Sequence, residues 1–141
     1  MVKVQISEYI DAPAAAVWEL YVGDRAEELV VGLFAIRLTM EETKDGLVRT
    51  TYLPDGSVVR ERLDYLDNDN FTCRYTVIEP GMLPYKSYCG GIRLDPLSEN
   101  ACTINLHSDF EPLGMLDVDA AAFYRKFNLD AVEKIRELLG V

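Results

Sequence analysis

Four side chains of this sequence are candidates to move or stabilise charge together at one site: Arg49, Glu61, Tyr75 and Tyr88. A glutamate can accept a proton from a substrate, and tyrosine hydroxyls or a guanidinium can stabilise the oxyanion that develops. Whether they meet depends on strand parity, because alternate side chains point to opposite faces. Parity puts Val59, Glu61, Leu63 and Tyr65 on one face, and Cys73, Tyr75 and Val77 on one face of the next strand. A symmetric Pro80–Leu83 loop then sets Tyr75 opposite Tyr88. Arg49 has two readings. A tight Asp55-Gly56 turn pairs it with Arg62 and sends Glu61 to the other face; a bulged or odd-length loop places Arg49 and Glu61 together. Together they either orient a ligand carbonyl or carboxylate, with Glu61 as a base, or form a structural ion pair.

Other constellations fail on spacing. His107, Ser108 and Asp109 suggest a hydrolase, but Ser108 faces away from its neighbours on a strand. His107, Asp109 and Glu111 share a face that is expected to be solvated rather than metal-binding. Asp67-x-Asp69 opens like a calcium loop and breaks at Phe71 and Thr72, where an oxygen ligand and a glycine are required. Cys73, Cys89 and Cys102 form no CxxC pair, which predicts free thiols in a reducing compartment. No metal site and no cofactor is expected.

The positioning elements follow from hydrophobic period. The chain has 141 residues, 49% apolar and 27% charged, which predicts one domain over residues 1–141. A formal charge of −10 argues against nucleic acid or anionic lipid surfaces as partners. The apolar run Leu29–Ile36 is too short to span a bilayer, and the N-terminus lacks the apolar core of a signal peptide, so a cytoplasmic location is expected. Val2–Ile10 alternates as a strand. Ala14–Tyr21 reads as a helix entered at Pro13, and Asp24-x-x-Glu27 as the capping box of a short helix through Val31. Six strands follow: Phe34–Met40, Leu47–Leu53, Val58–Leu66, Phe71–Glu79, Tyr85–Leu94 and Ala101–Phe110. The last segment changes period. Ala120, Phe123, Phe127, Ala131, Ile135 and Leu138 form one stripe of a helix over Asp117–Leu139, capped by Gly140. An antiparallel seven-stranded sheet must cover its apolar face, and only that helix is large enough. A sheet curled around it leaves a gap for a small ligand.

The order of elements, with Ile10-Asp11-Ala12-Pro13 through Trp18, Gly46–Thr50 with Leu53-Pro54-Asp55-Gly56 and Val59–Leu63, and Ile78–Pro84, resembles the START-like helix-grip superfamily. That superfamily includes polyketide cyclase/dehydratase-like proteins, birch-pollen-type allergens and plant abscisic acid receptors. The resemblance implies an α+β helix-grip fold with two short helices after the first strand. It favours the odd-length loop, and so Arg49, Glu61 and Tyr75 facing a cavity. Leu53-Pro54-Asp55-Gly56 and Gly81-Met82-Leu83-Pro84 stand at the receptors' gate and latch positions but depart from their pattern. The candidate catalytic set is Glu61, Arg49 and Tyr75. The candidate ligand-binding set is Leu53, Val59, Tyr75, Tyr88, Leu106, Ser108, Phe110, Phe123, Phe127 and Ala131. The expected partner is a small hydrophobic molecule, polyketide-like or aromatic, bound with or without cyclisation, dehydration or isomerisation by proton transfer. A carrier or sensor with gating loops is the alternative, and a homodimer is left open.

Overall fold

The structure is a computed structural model that describes residues 1–141. Its elements run β1 (Val2–Ile10), α1 (Ala14–Tyr21), α2 (Ala26–Val31), β2 (Arg37–Thr43), β3 (Gly46–Tyr52), β4 (Val58–Asp67), β5 (Thr72–Glu79), β6 (Tyr85–Ser98), β7 (Ala101–Pro112) and α3 (Asp117–Leu139). The seven strands form one antiparallel sheet in the order β1-β7-β6-β5-β4-β3-β2. The sheet curves around α3, with α1 and α2 filling the remaining space, so the helix-grip architecture expected from the sequence is the one observed. No helix is long and apolar enough to cross a membrane.

The helix starts are made differently from the expectation. Pro13 is the N-cap of α1 rather than a residue within its first turn, and its carbonyl accepts from Ala16 and Val17. The capping box at Asp24 and Glu27 does not form. Arg25 is the N-cap of α2, and Glu27 instead accepts the Leu38 backbone N–H at 3.0 Å, tying α2 to β2. At the other end Gly140 closes α3 in the left-handed conformation, φ 74°, as expected of a glycine there.

Strand limits shift for identifiable reasons. Phe34 and Ala35 turn back to bond the Val30 carbonyl, so β2 starts at Arg37. Continuous pairing with β7 carries β6 through Asp95 and Pro96 to Ser98. Two irregularities interrupt the β4–β5 pairing, one opposite Arg60 and Glu61, where Ile78 of β5 is extra, and one in β4 between Leu63 and Tyr65. The second inserts Asp64 and reverses parity. Tyr65 therefore lies outside, where the Arg74 guanidinium sits 4.4 Å from its ring centroid, and Leu66 packs inward.

Two apolar clusters hold the layers together. The larger joins β1, α1, β6, β7 and the end of α3 through residues such as Ile10, Val17, Leu94, Ile104 and Ile135. The smaller is aromatic and joins Tyr85, Tyr88, Phe110 and Tyr124 to Val2, Val4 and Ala120. The buried face of α3 is Ala120, Tyr124, Asn128, Ala131, Val132 and Ile135, turned from the predicted stripe, and Phe123 is 48% exposed. Ile135→Ala should therefore cost ~2–5 kcal/mol in urea denaturation, while Phe123→Ala should cost under ~1 kcal/mol.

Candidate functional site

Five residues connect β3 to β4, from Leu53 to Ser57, and this odd length sets the register. Arg49 pairs directly with Glu61, and both point to the concave face. The guanidinium is buried. Its Nη2 lies 3.3 Å from Glu61 Oε2, its Nη1 donates to the Tyr21 carbonyl at 2.8 Å, and its Nε is buried without a partner. Burial is the largest single effect and works against the Arg49 charge, but Glu61 together with Tyr21, Tyr75 and Cys73 outweighs it and holds the guanidinium above its ordinary pKa. The hydrogen bonds made by Arg49 thus fix the position of Glu61, while its Nε–H has no acceptor in the protein.

Between this sheet face and α3 lies a cavity of about 300 Å³. Ten of its eleven lining residues are hydrophobic, among them Phe34, Val59, Tyr75, Leu83, Tyr124 and Phe127; Glu61 is the one charged side chain. A smaller recess of about 80 Å³ continues inward past Glu61 and Tyr75 to Arg49, Thr51, Asn128 and Ala131. A third, larger depression of about 620 Å³ runs over Trp18, Phe71 and Met40 with Glu19, Asp24 and Glu27 on its rim. It is separate from the residues described above. There, Trp18 donates to Asn68 at 2.9 Å and meets Phe71 edge-on at 5.8 Å, which anchors α1 to the β4–β5 turn.

The tyrosines are placed by the sheet and held by packing. Tyr75 pairs with Gly90, not Tyr88, two residues from the symmetric-loop expectation. The start of β6 pairs only with β7, so the β5–β6 ladder closes later than a symmetric loop would have it. The shift is even, so Tyr75 and Tyr88 keep the same face and stack at 6.2 Å. Gly90 makes room for Tyr75: a Cβ there would sit 2.8 Å from the Tyr75 hydroxyl oxygen. Burial pushes the Tyr75 hydroxyl well above its ordinary pKa and that of Tyr88 up to about 12. Both are therefore hydrogen-bond donors at neutral pH. Tyr88 spends its proton on Ser108 Oγ, which also accepts from Asn128 Nδ2 at 3.4 Å. The Tyr75 hydroxyl stands near that of Tyr88, and this contact lowers the Tyr88 pKa against the effect of burial.

Of the candidate ligand-binding residues, Val59, Tyr75, Tyr88, Phe123 and Phe127 line the cavity, and Ala131 lines the recess. Leu53, Leu106, Ser108 and Phe110 line neither. Leu106 and Phe110 are 2% and 0% exposed in the two core clusters, so the expected apolar face of β7 is core rather than cavity wall. Ser108 lies behind the wall as the partner of Tyr88. Sequence reasoning missed Phe34, Tyr85, Tyr124 and Asn128. The first falls in the turn taken for a strand, and the last two are displaced by the turned face of α3. Tyr124 and Asn128, at i and i+4 with Ala120, gave a helical spacing that could have revealed them.

His107 packs its ring over Gly91 on the outer face of the sheet. No group of three or more His, Cys, Asp or Glu residues is gathered closely enough to hold a metal ion.

The chain matches a family model described as polyketide cyclase / dehydrase and lipid transport over residues 1–138. No curated protein matches it in sequence. Several solved structures share the fold. The protein XoxI from Bacillus cereus is 20% identical, with 98% of this chain and 95% of that one covered and a TM-score of 0.79. Norcoclaurine synthase from Thalictrum flavum is 17% identical over 97% of this chain and 92% of that one, TM-score 0.68. The Zhui aromatase/cyclase from Streptomyces sp. R1128 is 19% identical over 96% and 94%, TM-score 0.68.

Removing one member of the buried pair leaves the other uncompensated. Arg49→Met should cost ~3–5 kcal/mol in urea denaturation, and adding Glu61→Leu should recover most of the loss. Stability should also fall at high pH. Burial raises Cys73 from 9.0 to about 11 and Tyr88 from 10.0 to about 12. The unfolded chain releases these protons first, so their contribution is complete below about pH 9 and is lost as pH rises toward 12. Denaturation midpoints measured from neutral to alkaline pH check this, and Cys73→Ala should flatten the lower part of the decline.

Proposed function

Because the chain belongs to the polyketide cyclase / dehydrase and lipid transport family, we propose that it binds a small, mostly apolar organic molecule, aromatic or polyketide-like, between the sheet and α3. The observation that carries this reading is the cavity of about 300 Å³ with ten hydrophobic residues and a single charged one. Its size is at the low end of the ~300–1,000 Å³ of small-molecule sites. That suits one or two rings better than a long acyl chain. The solved relatives agree in kind: one is a norcoclaurine synthase in complex with dopamine and hydroxybenzaldehyde, another an aromatase/cyclase. The free thiols suit a reducing, cytoplasmic setting.

Binding is the primary reading, and proton transfer is the second. Glu61 favours the latter, since its Oε2 is held by Arg49 while Oε1 accepts no hydrogen bond from the protein. A carboxylate fixed at one oxygen and open at the other is placed to take a proton from a bound carbon acid. Tyr75, which lines the cavity beside Glu61, would stabilise the enolate through its hydroxyl. Arg49 then serves as a positioning residue for Glu61.

Two experiments separate these readings. Displacement of an apolar naphthalene fluorophore measures binding. Val59→Trp, which fills the cavity, should abolish it, and Val31→Trp on the exposed surface should leave it unchanged. Binding that survives Val59→Trp would contradict the cavity as the site. For chemistry, proton NMR in heavy water follows deuterium entering the methyl group of bound acetonaphthone. Exchange faster than buffer and lost in Glu61→Gln supports catalysis, and exchange at the buffer rate supports a carrier.

A further inference from the structure

The recess behind the cavity has a chemical bias of its own. Two of its groups are hydrogen-bond acceptors with no protein donor: Glu61 Oε1, and the side-chain oxygen of Asn128, whose amide nitrogen is turned to Ser108. Glu61 is 12% exposed at its side chain and Asn128 8% exposed overall, so bulk water reaches neither freely. Buried acceptors call for a donor. The Tyr75 hydroxyl also lines the recess, and it can donate to an incoming oxygen. The recess holds about 80 Å³, enough for a polar group of one or two heavy atoms but not a ring.

The charge balance narrows the class further. Arg49 already neutralises Glu61. A ligand carboxylate would add a second buried anion with no second cation on the recess wall, a like-charge pair in an apolar setting. A carbonyl oxygen could accept from Tyr75 but would leave the Glu61 and Asn128 oxygens without a donor. A neutral hydroxyl meets both needs, donating to Glu61 or Asn128 and accepting from Tyr75. Above it lie the aromatic side chains of Phe34, Tyr85, Tyr124 and Phe127, which suit a planar body.

We propose that the recess selects neutral aromatic alcohols, seated with the hydroxyl inward on Glu61 and the ring system in the outer cavity. This rests on the binding function proposed above and names its ligand class. It also assigns Asn128 and Tyr75 as specificity-determining residues.

Calorimetric titration of the full chain near neutral pH with 2-naphthol, naphthalene and 2-naphthoate tests the proposal. The three probes share one ring system and differ only in the group offered to the recess. 2-Naphthol should bind ~10-fold tighter than either of the others, the effect expected of a hydrogen bond to a charged acceptor. Tyr75→Phe and Asn128→Leu should each weaken 2-naphthol several-fold more than they weaken naphthalene, and equal weakening of the two probes would overturn the assignment. Both variants keep the Arg49–Glu61 pair, and far-ultraviolet dichroism reports whether the fold is intact. If naphthalene or 2-naphthoate binds as tightly as 2-naphthol, the selectivity is overturned and the binding function stands. If none of the three binds, both are overturned.

Discussion

The buried Arg49–Glu61 pair is the constraint on which the site depends. It exists because β3 and β4 are joined by five residues and not by two, which sets these side chains opposite each other on the concave face. Two opposite charges taken out of water attract strongly, but their desolvation cancels much of the gain. The pair therefore contributes little net stability by itself. Its effect is to keep a charged oxygen at the boundary between the outer cavity and the smaller recess, in one orientation, on two neighbouring strands of a sheet. Tyr21 completes the arrangement by accepting from the guanidinium through its backbone carbonyl. The end of α1 is thereby tied to the sheet beside the recess.

The aromatic cluster supplies the wall that this oxygen needs. Tyr88 stacks on Phe110 at 5.4 Å, and Phe110 meets Tyr124 at 4.6 Å, so the first turns of α3 are anchored to β6 and β7 by rings. Phe34 and Phe127 meet edge-on at 5.2 Å on the other side, where α2 leads into β2. Rings at these distances hold α3 off the sheet and keep a space between them. The hydroxyls are divided in their duties. Tyr88 is bound to Ser108 and serves structure, while Tyr75 is given room beside Glu61 by the glycine at position 90.

Much of the architecture was legible in the amino-acid sequence because it is written in local patterns. The alternation of Val2–Ile10, the helical period after Asp117 and the glycine at 140 each report a single element, and the order of elements implies the sheet and the covering helix. What was not legible depends on pairing between elements. The inserted Asp64 reverses the facing of Tyr65 and Leu66, and no local signal marks it. The β5–β6 register depends on where a ladder closes, which the loop composition does not say. On α3 the apolar stripe through Phe123 was misleading because the buried face includes Tyr124 and Asn128, whose polar atoms hide them from a hydrophobicity pattern. Leu106 and Phe110 were correctly read as inward-facing, but a strand's inner face can meet core or cavity, and only packing decides which.

The central claim is that the space between α3 and β4–β6 is a ligand site and not a packing defect. A crystal structure of the chain grown with a small planar aromatic alcohol tests it most directly. The account predicts density between Val59, Tyr85 and Phe127 with its oxygen toward Glu61. Density confined to the groove over Trp18 and Met40, or a cavity left filled only by water at saturating ligand, would contradict it.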